Sequence, residues 1–276
     1  MKKIIHIMIF VVIAFSESSV KAQNNAMSDY WDGVDFSDTA LISSKAMADK
    51  LVSYFYSFTD GDEQRFDSLS IAGLGVALEK AKVNMRMYEY ILEFALNGYS
   101  AMGRDRVTDY LLNYPQLAEG EISMEEGLRL DSITEPFQKV RVGSIAPDYN
   151  GVTIDGKHYC LYESRAKHFI VVFWSTDCEY CHDFLVQIRK HIDLKSDFEL
   201  VTFALAEDKD DVNKAVEKMR LPGYHFYDDL RWESKAFLDY HITSTPTVFV
   251  LDENKNIICK PYDWQELRYW LKKMFY

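Results

Sequence analysis

Apolar residues repeat in two ways along this chain, and the change falls near residue 140. Before it the spacing is helical. Ala48, Leu51, Val52 and Phe55 follow the i, i+3, i+4, i+7 rhythm of one helix face. Met85, Tyr88, Leu92 and Ala95 repeat it, and Val107, Tyr110 and Leu111 begin a third stripe that Pro115 ends. The stretch 119–135 is acidic and suits a last helix leading into a connection. This half has neither cysteine nor histidine, and its stripes read as the core of a helical bundle.

After 140 the apolar residues come in short runs. Phe169 to Trp174 is unbroken, as in a strand covered on both faces. Phe184, Leu185, Ile188 and Ile192 mark a helix, Phe198 to Leu205 a second strand, and Val212, Ala215, Val216 and Met219 a second helix. Tyr224 to Tyr227 suits a short strand and Trp232 to Tyr240 a further helix. Thr247 to Leu251 and Ile257 to Cys259 read as a hairpin about the polar turn 252–256. Asp263 followed by Glu266 is a capping box for a final helix through Met274. Alternating strands and helices predict a mixed, mostly parallel sheet with helices on both faces. The fold expected is therefore an all-α domain followed by an α/β domain.

The first 22 residues are set apart. Lys2 and Lys3 precede an apolar run, Ile4 to Phe15, and Val20-Lys21-Ala22 has small residues where signal peptidase needs them. The run is shorter than the ~20 residues that span a bilayer. A signal peptide over 1–22, cleaved after Ala22, predicts export, most simply to a periplasm, with no membrane span left afterwards. The expected division is 1–22, a helical domain over 23–140, and an α/β domain over 141–276.

Of 276 residues, 48% are hydrophobic and 27% charged, which allows a sizeable core. The formal charge of -12 argues against a nucleic-acid backbone or an anionic membrane as partner. Export permits disulfides. With only Cys160, Cys178, Cys181 and Cys259, the thiols should matter singly rather than as a scaffold.

Cys178-Glu-Tyr-Cys181 stands where the buried strand ends and a helix begins. Free N–H groups and the helix dipole there stabilise a thiolate on the first cysteine. The second lies one turn on and can resolve a mixed disulfide. Cys178 is thus the expected nucleophile and Cys181 the resolving thiol. Glu179 opposes the thiolate, which favours a reductant over a strong oxidant. Thr245-Pro246 leads into the hairpin strand; a cis bond there would offer the Thr245 backbone to an incoming peptide. With His182, the motif also reads C-x-x-C-H, the haem-attachment signature, and a lone C-x-x-C can be half of a zinc site. No second C-x-x-C or paired histidines complete a zinc site, and the strand before the motif with Thr-Pro-Thr after it suits thiol exchange better than haem. Val171 and Ser175 stand where a peroxiredoxin needs Pro and Thr. A binding module without catalysis remains the non-enzymatic alternative. No cofactor is expected beyond the cysteine pair itself, and no metal.

The segment Phe173-Trp174-Ser175-Thr176-Asp177-Cys178-Glu179-Tyr180-Cys181, with Thr245-Pro246-Thr247, resembles the thioredoxin superfamily. Gly143 to Tyr149 resembles the leading segment of its exported TlpA/ResA-like branch. The resemblance covers about 141–276. It implies a thioredoxin-like C-terminal domain that reduces protein disulfides outside the cytoplasm and is recycled by a redox partner. The helical half, with Tyr30-Trp31-Asp32 and Asp35-Phe36-Ser37-Asp38, is similar to an uncharacterised domain that precedes such thioredoxins in some bacteria. Three positions depart from the pattern. Asp177 replaces the Trp before the first cysteine, Val172 replaces a buried acid, and Phe184 replaces a Glu after the second cysteine. The usual proton acceptor is therefore unassigned, with Asp183 and Glu207 candidates by type only. Asp177 and Glu179 together make an acidic rim suited to basic partners. Cys160 and Cys259 read as small buried hydrophobes, or as a pair if their Cα atoms approach within about 7 Å.

Overall fold

A computed structural model describes residues 25–58, 63–114, 122–191 and 198–275. The apolar run at 4–15, the cleavage position after Ala22, Pro115 and Ile192 lie outside them. The chain divides into two compact units, one of residues up to 96 with 114–130, the other of 97–113 with 131–276.

In the first unit, α1 is Lys45–Tyr56, α2 Glu63–Ala81, and α3 Met85–Ala101, whose last turn is counted in the second unit. Ser44 caps α1 by accepting from the Met47 N–H. The face that α1 buries is Met47, Leu51, Tyr54 and Phe55. Val52, expected inside, is 49% exposed. Tyr54 takes its place because its ring meets Trp31 and Phe58 edge-on while its hydroxyl donates to the Gly73 carbonyl at 3.1 Å. An apolar count along one helix does not register a tyrosine that satisfies its own hydroxyl. On α3 the expected Tyr88, Leu92 and Ala95 are all buried. Glu89 is buried beside them and takes Arg129 Nε at 2.8 Å.

The second unit holds α4 (Asp105–Asn113) and most of α5 (Met124–Lys139), which contains Pro136. An antiparallel pair follows, β1 (Asn150–Val152) with β2 (His158–Cys160), which the sequence pattern does not announce. Then come β3 (His168–Ser175), α6 (Glu179–His191), β4 (Phe198–Leu205), α7 (Lys209–Met219) and β5 (Tyr224–Tyr227). The helix expected over 232–240 is broken: a 3-10 turn at Arg231–Glu233 precedes α8, Lys235–Asp239. Ser234, extended at φ -65° and ψ 147°, separates the two. The chain ends with β6 (Thr247–Asp252), β7 (Ile257–Cys259) and α9 (Trp264–Phe275).

The sheet order is β5-β4-β3-β6-β7, with β3 parallel to β4 and antiparallel to β6. Alternate side chains of β3 enter opposite layers. Phe169, Val171 and Phe173 join Phe203, Phe226, Phe237 and Tyr240 on one face. Ile170, Val172 and Trp174 join Phe184, Leu185, Ile188, Val212 and Leu267 on the other. Helices α6, α7 and α9 therefore share one face of the sheet. Asp263 accepts from the Glu266 N–H at 2.8 Å, as the capping box expects, but Glu266 returns to the Tyr262 N–H rather than to Asp263.

Candidate functional site

The buried run of β3 ends at Ser175, and the chain turns before α6 begins at Glu179. The turn is fixed by the Thr176 N–H on Leu205 O and the Cys178 N–H on Ser175 O. Cys178 lands half-buried just before the helix, while Cys181 is fully buried in its first turn. The two sulfurs are bonded, with Cα atoms 5.2 Å apart. The Cys181 N–H, one of the otherwise unpaired donors of the first turn, reaches Cys178 Sγ at 3.0 Å. That donor would stabilise a thiolate at Cys178 and offers nothing to Cys181.

Trp174 lies fully buried beneath the motif, its ring edge-on to His182 at 5.7 Å. Asp177 and Glu179 are exposed on either side of Cys178. Tyr180 is 53% exposed, and partial burial, then the Asp263 carboxylate, hold its phenol above the ordinary range. The Thr245–Pro246 bond is cis. Phe173 is paired with Thr247 across the sheet, so Pro246 leads into β6 at the same end where β3 gives way to the cysteines. The sheet register thus brings together the motif and the Thr-Pro turn.

Val172 and Phe184, at the positions of the missing acids, are buried in the same layer as Cys181. Of the two candidates by type, Glu207 is exposed and paired with Arg231 Nη1 at 2.7 Å. Asp183 is exposed on the first turns of α6. A groove of about 550 Å³ opens beside the cysteine pair, between α6 and α7. Asp177, Glu179, His182 and Asp183 line it near the cysteines. The sequence reading did not find this groove, because it needs α7 to lie beside α6, a fact of sheet order. His182 entered that reading only as a haem ligand; its Nε2 is buried without a hydrogen-bond partner.

Cys160 and Cys259 are both free. Cys160 is half-buried, with Sγ 3.8 Å from each Asp148 carboxylate oxygen. Cys259 is buried, and burial, then Glu266 and Asp105, push its thiol far above the usual range. Among the described residues no helix is long and apolar enough to cross a membrane.

The thioredoxin-like domain family matches this chain over residues 160–261. Those residues form a thioredoxin-like domain. Two curated relatives, the thiol-disulfide oxidoreductases ResA of Geobacillus thermodenitrificans and Geobacillus kaustophilus, are each 26% identical over 120 residues, covering 43% of this chain and 67% of theirs. A thioredoxin-like protein from Bacteroides caccae shares the fold over 92% of this chain and 93% of its own, with TM-score 0.60 and 18% identity. That likeness in fold extends beyond the thioredoxin-like domain into the helical half. The relatives place the domain among the thiol–disulfide oxidoreductases.

Proposed function

We propose that the protein is exported and reduces disulfides of other proteins, with Cys178 as nucleophile and Cys181 as resolving thiol. The observation that carries this reading is the asymmetry of the pair. Cys178 is reachable and receives an N–H, whereas Cys181 is buried behind it. In the first step the Cys178 thiolate attacks one sulfur of a substrate disulfide. The substrate S–S bond breaks, a mixed disulfide forms, and the departing sulfur takes up a proton. Cys181 then loses its proton and attacks Cys178 Sγ, which releases the second substrate thiol and leaves the Cys178–Cys181 disulfide. Two electrons have passed to the substrate. An external dithiol partner restores the reduced pair by the same exchange in reverse.

Glu179 supports reduction over oxidation, because a carboxylate beside Cys178 offsets part of the stabilisation that the helix gives a thiolate. Export rests on the leading 22 residues, whose basic start, apolar run and small-residue cleavage position fit a signal peptide. Insulin reduction by dithiothreitol is the direct test. The wild type should accelerate it and Cys178→Ser should not; equal rates would leave the domain a binding module.

A further inference from the structure

The groove beside the cysteines has a polarity along its length. Because β3 and β4 are parallel, α6 and α7 both start at the cysteine end of the sheet and run away from it. Asp177, Glu179 and Asp183 line the groove at that end. Arg189 lies ten residues along α6 from Glu179, about 15 Å away at the helical rise. Lys218, near the end of α7, joins it on the lining. The stretch between has an apolar floor that includes Val186 and Ala215. None of these five charged side chains makes an ion pair among the described residues, whereas Lys214 in the middle is held by Asp211 at 3.2 Å. Charges at the helix ends complement the two dipoles, and that alone would account for their order. It does not account for their convergence on one open groove whose near end is formed by Asp177 and Glu179, the residues on either side of Cys178.

We propose that this groove binds the polypeptide segment adjoining the substrate's reactive cysteine. It selects an extended segment with a basic residue beside that cysteine and an acidic residue about five positions away. An extended chain advances about 3.3 Å per residue, so five residues span the distance between the two ends. The occupant is a protein substrate, so the inference rests on the disulfide-reducing function proposed above. Its charge order complements that of the groove, with apolar side chains between to meet Val186 and Ala215.

The test uses the full-length protein and two synthetic peptides of identical composition, each a self-quenched fluorescent disulfide dimer. One has Lys next to its cysteine and Glu five residues on; the other has the two exchanged. At low salt the wild type should reduce the first with a kcat/KM about fivefold higher, since two exposed charge contacts give modest discrimination. High salt should erase the difference. Arg189→Glu combined with Lys218→Glu changes only the far end of the groove, leaves both cysteines and the acidic end in place, and should bring the ratio to about one. Equal rates on the two peptides, or a ratio unchanged in the double variant, would overturn the groove assignment while insulin reduction continued. Failure to reduce insulin as well would overturn the redox function and the groove's substrate with it.

Discussion

Replacing Cys181 by Ser separates the two chemical steps and puts a number on the second. The variant keeps the Cys178 thiol and the backbone N–H that serves it, so attack on a substrate disulfide should persist. What it loses is an attacking thiol fixed next to the mixed disulfide. One group confined to a sphere of radius 5.2 Å, the separation of the two Cα atoms, has an effective concentration of about 3 M. An assay with about 1 mM external dithiol supplies roughly a three-thousandth of that. Where resolution limits the cycle, turnover should therefore fall by about three orders of magnitude. The adduct should accumulate as a covalent species that intact-mass measurement assigns to Cys178. Cys178→Ser should form far less adduct, because Cys181 is fully buried. The assignment of roles fails if Cys181→Ser keeps turnover within tenfold of wild type, or if Cys178→Ser traps substrate as well as Cys181→Ser does.

Three further outcomes follow from the structure. Gly223 sits at φ +107°, and a Cβ there would overlap the Leu200 carbonyl oxygen of the adjoining strand, so Gly223→Ala should cost about 3 kcal/mol and roughly 10 °C of Tm in a calorimetric scan. With the Cys178–Cys181 disulfide intact, iodoacetamide should modify Cys160 in the native protein and reach Cys259 only after unfolding, as peptide mapping would show. Tyr54's phenol is pushed up to about 12 by burial, above its unfolded value near 10. The folded state then holds the proton more tightly, so this contribution to stability is complete below pH 10 and is lost as pH rises toward 12; Tyr54→Phe should flatten that loss in denaturant titrations across the window.

Much of the second unit was legible because its signals are local. The run from Phe169 to Trp174 needs no partner to be recognised as a covered strand, and a cysteine pair directly after it marks the helix start. The rest depended on contacts between distant residues. Val52 and Tyr54 compete for one helix face, and Trp31, Phe58 and Gly73, none of them on α1, decide the outcome. The strands 150–152 and 158–160 are three residues each, too short for a period to show. The break at Ser234 interrupts an apolar rhythm that continues on both sides, from Trp232 to Phe237. The grouping of 97–113 with the thioredoxin-like domain is a matter of packing alone. In the site, Cys178, Cys181 and Pro246 carry their own chemistry and could be named from their spacing. Arg189 and Lys218 have no such signature, because their role is defined only by the helix alongside.

The pairing of Phe173 with Thr247 has a bearing on when the molecule becomes selective. The Thr-Pro turn begins 64 residues after Cys181, so the two meet only through a contact of high sequence separation. Strand β6 is interior, bonded to β3 on one side and β7 on the other, and it follows the cysteine motif in chain order by a helix, two strands, two further helices and their connections. A chain emerging from its N-terminus therefore exposes a reactive thiol pair well before the surfaces that choose a substrate exist. Reactivity belongs to a short segment, and discrimination belongs to the finished fold. Truncated or unfolded copies would be promiscuous thiols, which gives quality control a chemical reason to remove them quickly.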